Sequence, residues 1–189
     1  MEEKRFNPKK LNKLNNPERL IQLPPEFIKE KVGLSNPKSI IDIGAGTGFF
    51  SIPFAEFFKE RTVYACDISD IMINWMKENI SPKYKNILPL EMKDNSIPLK
   101  DNMADFVFMI NLHHELGNPT KLLDECNRLL KQGGKIAISD WKKEKMEQGP
   151  SFELRYEVNV VKDQLITSGF DKIKIYNELS KNYLIVAEK

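Results

Sequence analysis

The sequence predicts an α/β domain built on a doubly wound, largely parallel sheet with helices on both faces. Short apolar, β-branched runs alternate with helical stretches of about 12 residues, which is typical of β–α–β units. A cluster of glycines directly follows the first such run. We expect one domain over residues 1–189, with an N-terminal cap segment (1–35) and a core (36–189) that binds ligands at the carboxyl ends of its strands.

Composition excludes several classes of protein. Hydrophobic residues make up 41% and charged residues 30% of the chain, which is ordinary for a globular protein. With 29 Lys and Arg against 27 Asp and Glu, the net charge of +2 demands neither nucleic acid nor a membrane as a partner. The two cysteines exclude a disulfide scaffold, and neither a spanning apolar run nor a secretory leader is evident, so we expect a cytoplasmic protein.

The segment before the first strand is expected to lie over the core. Residues 1–23 mix Lys, Asn and Pro with isolated apolar side chains, which suits a covering segment better than a long helix. Pro24 and Pro25 favour the start of a helix there, and Gly33 favours its end.

The core is predicted to alternate strands and helices. Strands are expected where apolar and β-branched residues run together, and helices where apolar residues recur at helical spacing between capping and breaking residues. The expected strands are 39–43, 61–67, 86–91, 104–112, 135–141 and an antiparallel pair at 170–177 and 183–188. The expected helices are 49–60, 70–79, 118–131 and one that ends near 168.

The strongest motif is a glycine-rich loop between the first predicted strand and the helix after it. Glycines allow positive φ and let a ligand approach the main chain, and the following helix N-terminus offers free N–H groups. A nicotinamide-dinucleotide fingerprint needs a small residue three positions after the second glycine, where this chain has Phe49. The residues expected to bind a cofactor here are Asp42, Gly44, Ala45, Gly46, Thr47 and Gly48.

A second carboxylate is expected at the same edge of the sheet. Asp67 ends the second predicted strand, which in a doubly wound sheet lies beside the first. There its side chain would accept hydrogen bonds from both hydroxyls of a ribose. A role as a helix N-cap or in a solvated turn is the alternative.

Two further motifs accompany the glycine loop: Leu-Leu-Lys-Gln-Gly-Gly at 129–134 and Ile-Pro-Leu at 97–99. With the loop and Asp67 they resemble the class I S-adenosylmethionine-dependent methyltransferases, although Gln132 stands where that family usually has Pro. The small-molecule branch typified by ubiquinone- and menaquinone-biosynthesis-type enzymes is the most similar. The resemblance implies a Rossmann-like sheet of order 3-2-1-4-5-7-6 with strand seven antiparallel, S-adenosylmethionine as cofactor and S-adenosylhomocysteine as product.

The resemblance also implies contacts to the cofactor. Asp67 would hold the ribose, with Ile68 and Met72 packed against the adenine. The family's acidic residue for the adenine amino group is displaced in this chain, so either Asp94, one position later, replaces it or the backbone does. Arg19, in the cap segment, would meet the methionine carboxylate, with a surface role as the alternative. Asn95 and Asn111 complete the expected cofactor-binding set.

The turn after the fourth predicted strand is the expected catalytic site. His113 and His114 have the ordinary pKa of a proton acceptor at neutral pH. Because neighbouring side chains diverge, we expect only one to face the acceptor; we favour His114, with His113 packed or capping. For each histidine, packing or capping is the alternative. A metal site is not expected, because no third ligand is evident.

An aromatic cover is expected on the acceptor side, where aromatic faces exclude water and attract a sulfonium. The residues expected to line the substrate pocket are Phe6, Glu115, Trp141 and Tyr156, with ordinary rim packing as the alternative. The methyl acceptor is expected to be a small molecule, and neither nucleic acid nor a membrane is an expected partner. The oligomeric state stays open. A non-catalytic cofactor-binding or regulatory protein, or an aminopropyl-type transferase on the same fold, is the alternative function.

Overall fold

The computed structural model describes residues 11–189, apart from the side chain of Asn12. The strands are β1 (Ser39–Ile43), β2 (Thr62–Asp67), β3 (Ile87–Glu91), β4 (Ala104–Ile110), β5 (Leu130–Trp141), β6 (Asp171–Tyr176) and β7 (Asn182–Glu188). The helices are α1 (Leu11–Leu14), α2 (Glu18–Gln22), α3 (Pro25–Val32), α4 (Ser51–Phe57), α5 (Asp70–Asn79), α6 (Pro119–Leu129) and α7 (Val158–Thr167), with 3₁₀ helices at His113–Glu115 and Phe152–Leu154.

The strands form one sheet in the order β3-β2-β1-β4-β5-β7-β6. All neighbouring pairs are parallel except those of β7, which runs antiparallel to β5 and to β6. The predicted fold class, strand order and antiparallel seventh strand are therefore confirmed. The order reverses between β1 and β4, and a crevice for ligands opens at such a point, outside the carboxyl ends of the strands.

Two hydrophobic clusters cover the two faces of the sheet. Neighbouring residues of a strand point to opposite faces, so Ile40 packs with α3, α4 and α5, whereas Ile41 packs with α6 and α7. Phe54 of α4 anchors the first cluster against Phe108 of β4, with ring centroids 4.5 Å apart. Burial on both faces explains why β1 and β4 are apolar almost throughout. Among the described residues, no helix combines the length and apolar character needed to cross a bilayer.

β5 begins earlier than the sequence predicted. The expected helix over 118–131 gives way to strand at Leu130, which is buried and pairs with Ala104. Gly134 lies inside this strand, where a Cβ would stand 2.8 Å from the carbonyl oxygen of Lys131. The prediction that the strand begins only after the glycine pair was therefore wrong, because β5 already begins at Leu130. The pairing with β4 is nevertheless interrupted at residues 131–134 and resumes at Lys135, which pairs with Phe106.

Three other boundaries differ. The expected helix over 49–60 is shorter, because the glycine loop continues in turns as far as Phe50. The expected strand over 104–112 ends at Ile110, where the chain turns into the 3₁₀ helix. The segment over 1–23, expected to be irregular, contains α1 and α2 within its described part.

Candidate cofactor and acceptor site

The glycine loop that follows β1 has the backbone conformation that glycine allows. Gly44, Gly46 and Gly48 have φ values of 69°, 57° and 71°, all in the left-handed region. A Cβ on Gly44 would also stand 2.7 Å from Cδ1 of Leu112. The N–H of Gly44 donates to the carbonyl oxygen of Cys66 at 2.9 Å, which ties the loop to β2. The loop is therefore held in place against β2.

Asp67, at the end of β2, joins the glycine loop to α5. Its Oδ2 accepts the N–H of Gly46 at 2.8 Å, and its Oδ1 accepts the N–H of Ser69 at 2.9 Å. Burial raises the pKa of Asp67, and the backbone N–H groups counteract this rise. A carboxylate has about four lone-pair sites, so lone pairs remain beyond these hydrogen bonds. The structure thus places Asp67 beside the glycine loop, with acceptor capacity to spare.

Asp42 lies beneath the loop. Its side chain is buried, and its Oδ2 accepts the hydroxyl of Ser51 at 2.6 Å. Burial raises the pKa of Asp42 to about 7; the Ser51 bond and Arg19 lower it, while Asp67 raises it further. The carboxyl group therefore fixes the first turn of α4 and gains a proton more readily than an exposed aspartate.

The cap segment contacts the glycine loop directly. Cδ1 of Leu14 stands 3.2 Å from the position that a Cβ on Gly46 would take. The hydroxyl of Thr47 donates to Oδ1 of Asn15 at 2.7 Å. The described part of the cap thus covers one side of the loop.

Arg19 is held within the cap. Its guanidinium donates to the carbonyl oxygen of Leu14 and lies 4.9 Å from the ring centroid of Phe50. Burial lowers the pKa of Arg19 to about 10, opposed by the charge of Asp42. The side chain therefore links the cap to the base of the glycine loop.

The residues expected near the adenine lie at two places. Ile68 is 40% exposed at the rim beyond β2, whereas Met72 is buried in α5. Asp94 and Asn95 form the tip of a tight turn after β3, where Asp94 is exposed and has a φ of 47°. Asn111 follows β4 with a φ of 54°, and its Oδ1 accepts the amide N–H of Asn182 at 2.8 Å.

His114 forms a two-point contact with Asp140 of β5. The Asp140 Oδ2 accepts the backbone N–H of His114 at 2.9 Å, and Oδ1 lies 2.8 Å from the His114 Nδ1. The N–H of Trp141 also donates to this Oδ1, at 2.7 Å. Because an ionised carboxylate only accepts hydrogen bonds, the proton of the neutral ring lies on Nδ1 and leaves a lone pair on Nε2.

The charges around His114 set its protonation. Burial acts to lower the pKa of the imidazole, but the hydrogen bond to Asp140 and the charges of Asp140 and Glu115 raise it above the ordinary value. Arg155 opposes this rise. The Nε2 lies 3.8 Å from Oε1 of Glu115, so a protonated ring has carboxylates on both nitrogens.

His113 has a different environment. It is fully buried, its Nε2 lies 2.8 Å from Oε1 of Gln164 in α7, and its ring meets that of Tyr156 edge-on, with centroids 5.1 Å apart. Burial lowers the pKa of this imidazole. The pKa values of the two neighbouring histidines are therefore shifted in opposite directions, down for His113 and up for His114.

A cavity of about 290 Å³ adjoins His114. Its lining residues are His114, Lys143, Glu153, Leu154, Arg155, Tyr156, Glu157 and Val160. Trp141 is not part of this lining, because its indole packs against Gly149, where a Cβ would stand 2.8 Å from the ring. Phe6, also expected at the pocket, lies outside the described residues.

The two thiols of the chain are not exposed to a ligand. Cys66 and Cys126 are buried, and burial raises the pKa of both thiols. Within residues 11–189, no group of three or more His, Cys, Asp and Glu side chains is arranged to hold a metal ion.

Sequence reasoning missed the contact between Asp140 and His114. Its signal was available: Asp140 is a charged residue at the end of the buried part of β5, at the edge where β4 also ends. Arg155, which lines the same cavity, was also missed, and its place between Pro150 and α7 gives no local signal.

Comparisons with known proteins agree with the fold. Residues 41–138 match the family described as "Methyltransferase domain". The crystal structure of a SAM dependent methyltransferase from Aquifex aeolicus is 33% identical, with a TM-score of 0.90 over 97% of this chain and 98% of that chain.

Two curated relatives are similar over part of their length. The tRNA(Phe) (4-demethylwyosine(37)-C(7)) aminocarboxypropyltransferase of Methanocaldococcus jannaschii is 31% identical over 78% of this chain and 59% of its own. The ubiquinone biosynthesis O-methyltransferase of Coxiella burnetii is 28% identical over 67% of this chain and 50% of its own. The chain thus spans about half the length of these relatives. The family match and the Aquifex structure together show that this chain belongs to the S-adenosylmethionine-dependent methyltransferases, the family whose cofactor is S-adenosylmethionine.

Proposed function

We propose that the protein transfers the methyl group of S-adenosylmethionine to a small-molecule acceptor and leaves S-adenosylhomocysteine. The observation that carries this proposal is the place of the His114–Asp140 pair. It lies at the carboxyl ends of β4 and β5, at the same edge of the sheet as the glycine loop after β1. A cofactor loop and an oriented proton acceptor at one edge are what methyl transfer to a protonated nucleophile needs.

The residues at the glycine loop suit this cofactor. The three glycines adopt the positive φ values that shape the loop, and Asp67 keeps lone pairs for a ribose. Ile68 presents apolar surface on which an adenine would pack. Bound there, the cofactor supplies an electrophilic methyl carbon on a sulfonium. The further proposed contacts are Arg19, Asp42, Ala45, Thr47, Met72, Asp94, Asn95 and Asn111.

His114 is the proposed base. Asp140 fixes the ring with its proton on Nδ1, so Nε2 accepts the proton of an acceptor hydroxyl or thiol as the new bond to the methyl carbon forms. The resulting imidazolium is stabilised by Asp140 and Glu115. The cap segment and the walls of the cavity exclude water and align the acceptor.

A small acceptor is supported by the cavity of about 290 Å³ beside His114. The rim of the cavity carries two glutamates as well as Lys143, and the net charge of the chain is only +2. A polyanion such as nucleic acid would need a more basic surface. A single domain with residues 1–35 as its cap is the proposed organisation. The buried free thiols of Cys66 and Cys126 support the reducing cytoplasm as the proposed location.

The direct test uses methyl-labelled S-adenosylmethionine with a panel of small phenols, thiols and carboxylic acids. We expect S-adenosylhomocysteine to accumulate with at least one acceptor class, and calorimetry to show binding of S-adenosylhomocysteine but not of NAD. Tight binding of NAD with no response to S-adenosylhomocysteine would contradict the proposal. His114→Gln, with the cofactor site intact, is the matched control for the base.

Aminocarboxypropyl transfer is the second candidate, because a relative named for that reaction is 31% identical. In that reaction the acceptor attacks the γ-carbon of the methionine part instead of the methyl group, and 5′-methylthioadenosine leaves. Chromatography of the products separates the alternatives. Accumulation of 5′-methylthioadenosine would assign the second reaction, and binding of S-adenosylhomocysteine without either product across the panel would favour a non-catalytic role.

A further inference from the structure

The loop between β5 and α7 is closed around one buried side chain, the guanidinium of Arg155. Only 4% of this residue is exposed. The loop has no regular secondary structure until the 3₁₀ helix Phe152–Leu154, so its shape depends on contacts of this kind. The guanidinium donates to the carbonyl oxygens of Pro150, at 2.7 and 2.9 Å, Glu144, at 2.7 Å, Gln148, at 2.8 Å, and Lys142, at 3.4 Å.

Arginine suits this arrangement because its five N–H donors form a rigid, planar fork. A buried guanidinium is tolerated only where its donors are satisfied, and here carbonyl oxygens from across the loop satisfy them. Carbonyl oxygens carry no net charge, so they leave the positive charge of Arg155 in place. The cage therefore does two things: it fixes the backbone of the loop, and it holds a cation at a defined point.

That point adjoins the proposed acceptor site. Arg155 and His114 line the same cavity, and Tyr156, the next residue after Arg155, lines it as well. The guanidinium carbon also lies 6.0 Å from the ring centroid of Trp141, and the backbone N–H of Trp141 donates to Asp140. Arg155 thus lies against Trp141, which is hydrogen-bonded to the carboxylate that orients His114.

We propose that Arg155 is a positioning residue of the acceptor site: it fixes the β5–α7 loop as a wall of the cavity, and it holds a positive charge on the cavity that His114 also lines. This inference rests on the proposed function, in which His114 must be neutral to act. The groups that face His114 are Asp140 from β5, His113 and Glu115 from its own 3₁₀ helix, and Lys143, Glu153, Arg155, Tyr156 and Glu157 from the loop and the start of α7.

The balance among these groups explains the need for a cation. Asp140 orients His114, but it and Glu115 also favour the imidazolium, which cannot accept a proton. The charge of Arg155 counteracts this effect. Lys143 is the other cation on the cavity, but its Nζ lies over the ring of Phe152, 5.5 Å from the centroid, outside the cage.

The first test measures the loop in the full-length protein. Lys142, Lys143 and Lys145 provide trypsin sites inside it. We expect Arg155→Gln to be cleaved after these lysines at least about 10-fold faster than the wild type, since the cage holds the loop closed. Arg61→Gln is the matched control, because Arg61 is a surface arginine that donates to Asn36 at the opposite edge of the sheet.

The second test follows the titration of His114 by NMR, in a chain with only two histidines. The His114 signal is assigned by its loss in His114→Gln. In Arg155→Gln we expect the His114 midpoint to move up by about 0.5–1 pH unit, the effect of removing one charge at the edge of the cavity. Arg155→Lys keeps the positive charge but loses the planar set of guanidinium donors. In this variant the titration midpoint of His114 should stay near the wild-type value, while trypsin should cleave the loop faster than in the wild type.

An unchanged midpoint together with unchanged cleavage in Arg155→Gln would overturn the proposal. Circular dichroism and binding of S-adenosylhomocysteine verify that each variant is folded, and Arg155→Lys serves if Arg155→Gln is not. Failure of the proposed function is distinguishable. If both tests respond as expected but His114→Gln keeps full turnover, the base assignment fails and the role of Arg155 in the loop stands.

Discussion

Asp140 holds His114 through both the main chain and the ring: Oδ2 accepts the His114 N–H at 2.9 Å, and Oδ1 lies 2.8 Å from Nδ1. The first contact fixes the turn after β4, and the second fixes the rotation and tautomer of the imidazole. Because Asp140 is itself buried in the adjacent strand, the pair is set by the sheet and not by a mobile loop. This contact is the basis of the first three predictions.

Replacing His114 should abolish most turnover without affecting cofactor binding. His114→Gln removes the base but leaves the glycine loop untouched, so we expect turnover to fall by ~10²–10⁴ with an unchanged affinity for S-adenosylhomocysteine. Turnover and calorimetry of the same preparation measure both. Full turnover in this variant would mean that the acceptor arrives already ionised and that the site acts by positioning alone.

The pH dependence of the wild type follows from the same residue. The neutral imidazole is the active form, and the pKa of His114 is raised above its ordinary value of 6.5. Turnover should therefore be low in acid and should rise with pH through a midpoint above 6.5. A pH–rate profile at saturating cofactor measures this midpoint, and a flat profile between pH 6 and 9 would contradict the assignment.

Asp140→Asn should change the tautomer of His114 while keeping the shape of the site. The amide cannot accept at both of its ends, and it lacks the charge that raises the pKa of His114. We expect lower turnover, by about 10-fold or more, with a downward shift of the pH midpoint. NMR titration of the His114 ring gives the shift independently of activity, and Ser139→Ala, at the neighbouring position, is the control.

Asp67 is predicted to carry much of the cofactor affinity. Asp67→Ala should lose two charge-assisted hydrogen bonds to the ribose, about 2–4 kcal/mol of binding free energy measured by calorimetry. Ser69→Ala is the matched control, because it removes the side chain that caps α5 at Met72 but leaves the carboxylate. Equal affinities for the cofactor in Asp67→Ala and the wild type would mean that Asp67 is only a turn residue.

Asp42 should make the unliganded protein less stable as the pH rises. Its pKa is about 7 in the folded state against an ordinary value of 3.8, so between these values the folded protein holds a proton that the unfolded chain has lost. Stability then falls across this window and is lowest above it. Asp42→Asn should raise the free energy of unfolding by roughly 1–3 kcal/mol at pH 8 and by little at pH 4. Each kcal/mol corresponds to a rise of about 2–4 °C in the melting temperature. Thermal unfolding at both pH values measures the difference, and a variant less stable than the wild type at pH 8 would contradict the prediction.

Deleting residues 1–16 should leave a folded protein that binds the cofactor weakly and shows little activity. The deletion removes Leu14 and Asn15, which contact Gly46 and Thr47 of the glycine loop. Asn15→Ala, which loses only the contact to Thr47, should have an intermediate effect. Calorimetry with S-adenosylhomocysteine measures both variants, and wild-type affinity in the deletion would show that the cap is dispensable.

The sequence alone determined the features whose causes are local. β1 and α5 begin and end where their apolar patterns and capping residues predict, and Gly33 ends α3 in the left-handed conformation. Alternating strands and helices restrict the topology to a doubly wound sheet, and the three glycines after β1 predict the place of the glycine loop, where we propose that the cofactor binds.

Only the tertiary structure decided how distant residues meet. The Asp140–His114 contact joins residues 26 apart through the pairing of β4 with β5, and β5 itself starts at Leu130 because Ala104 is there to pair with it. The cage around Arg155 depends on carbonyl oxygens, which every residue has and which no pattern of side chains reveals. Periodicity and capping depend on neighbours along the chain, whereas the protonation of His114 depends on charges that only packing brings together.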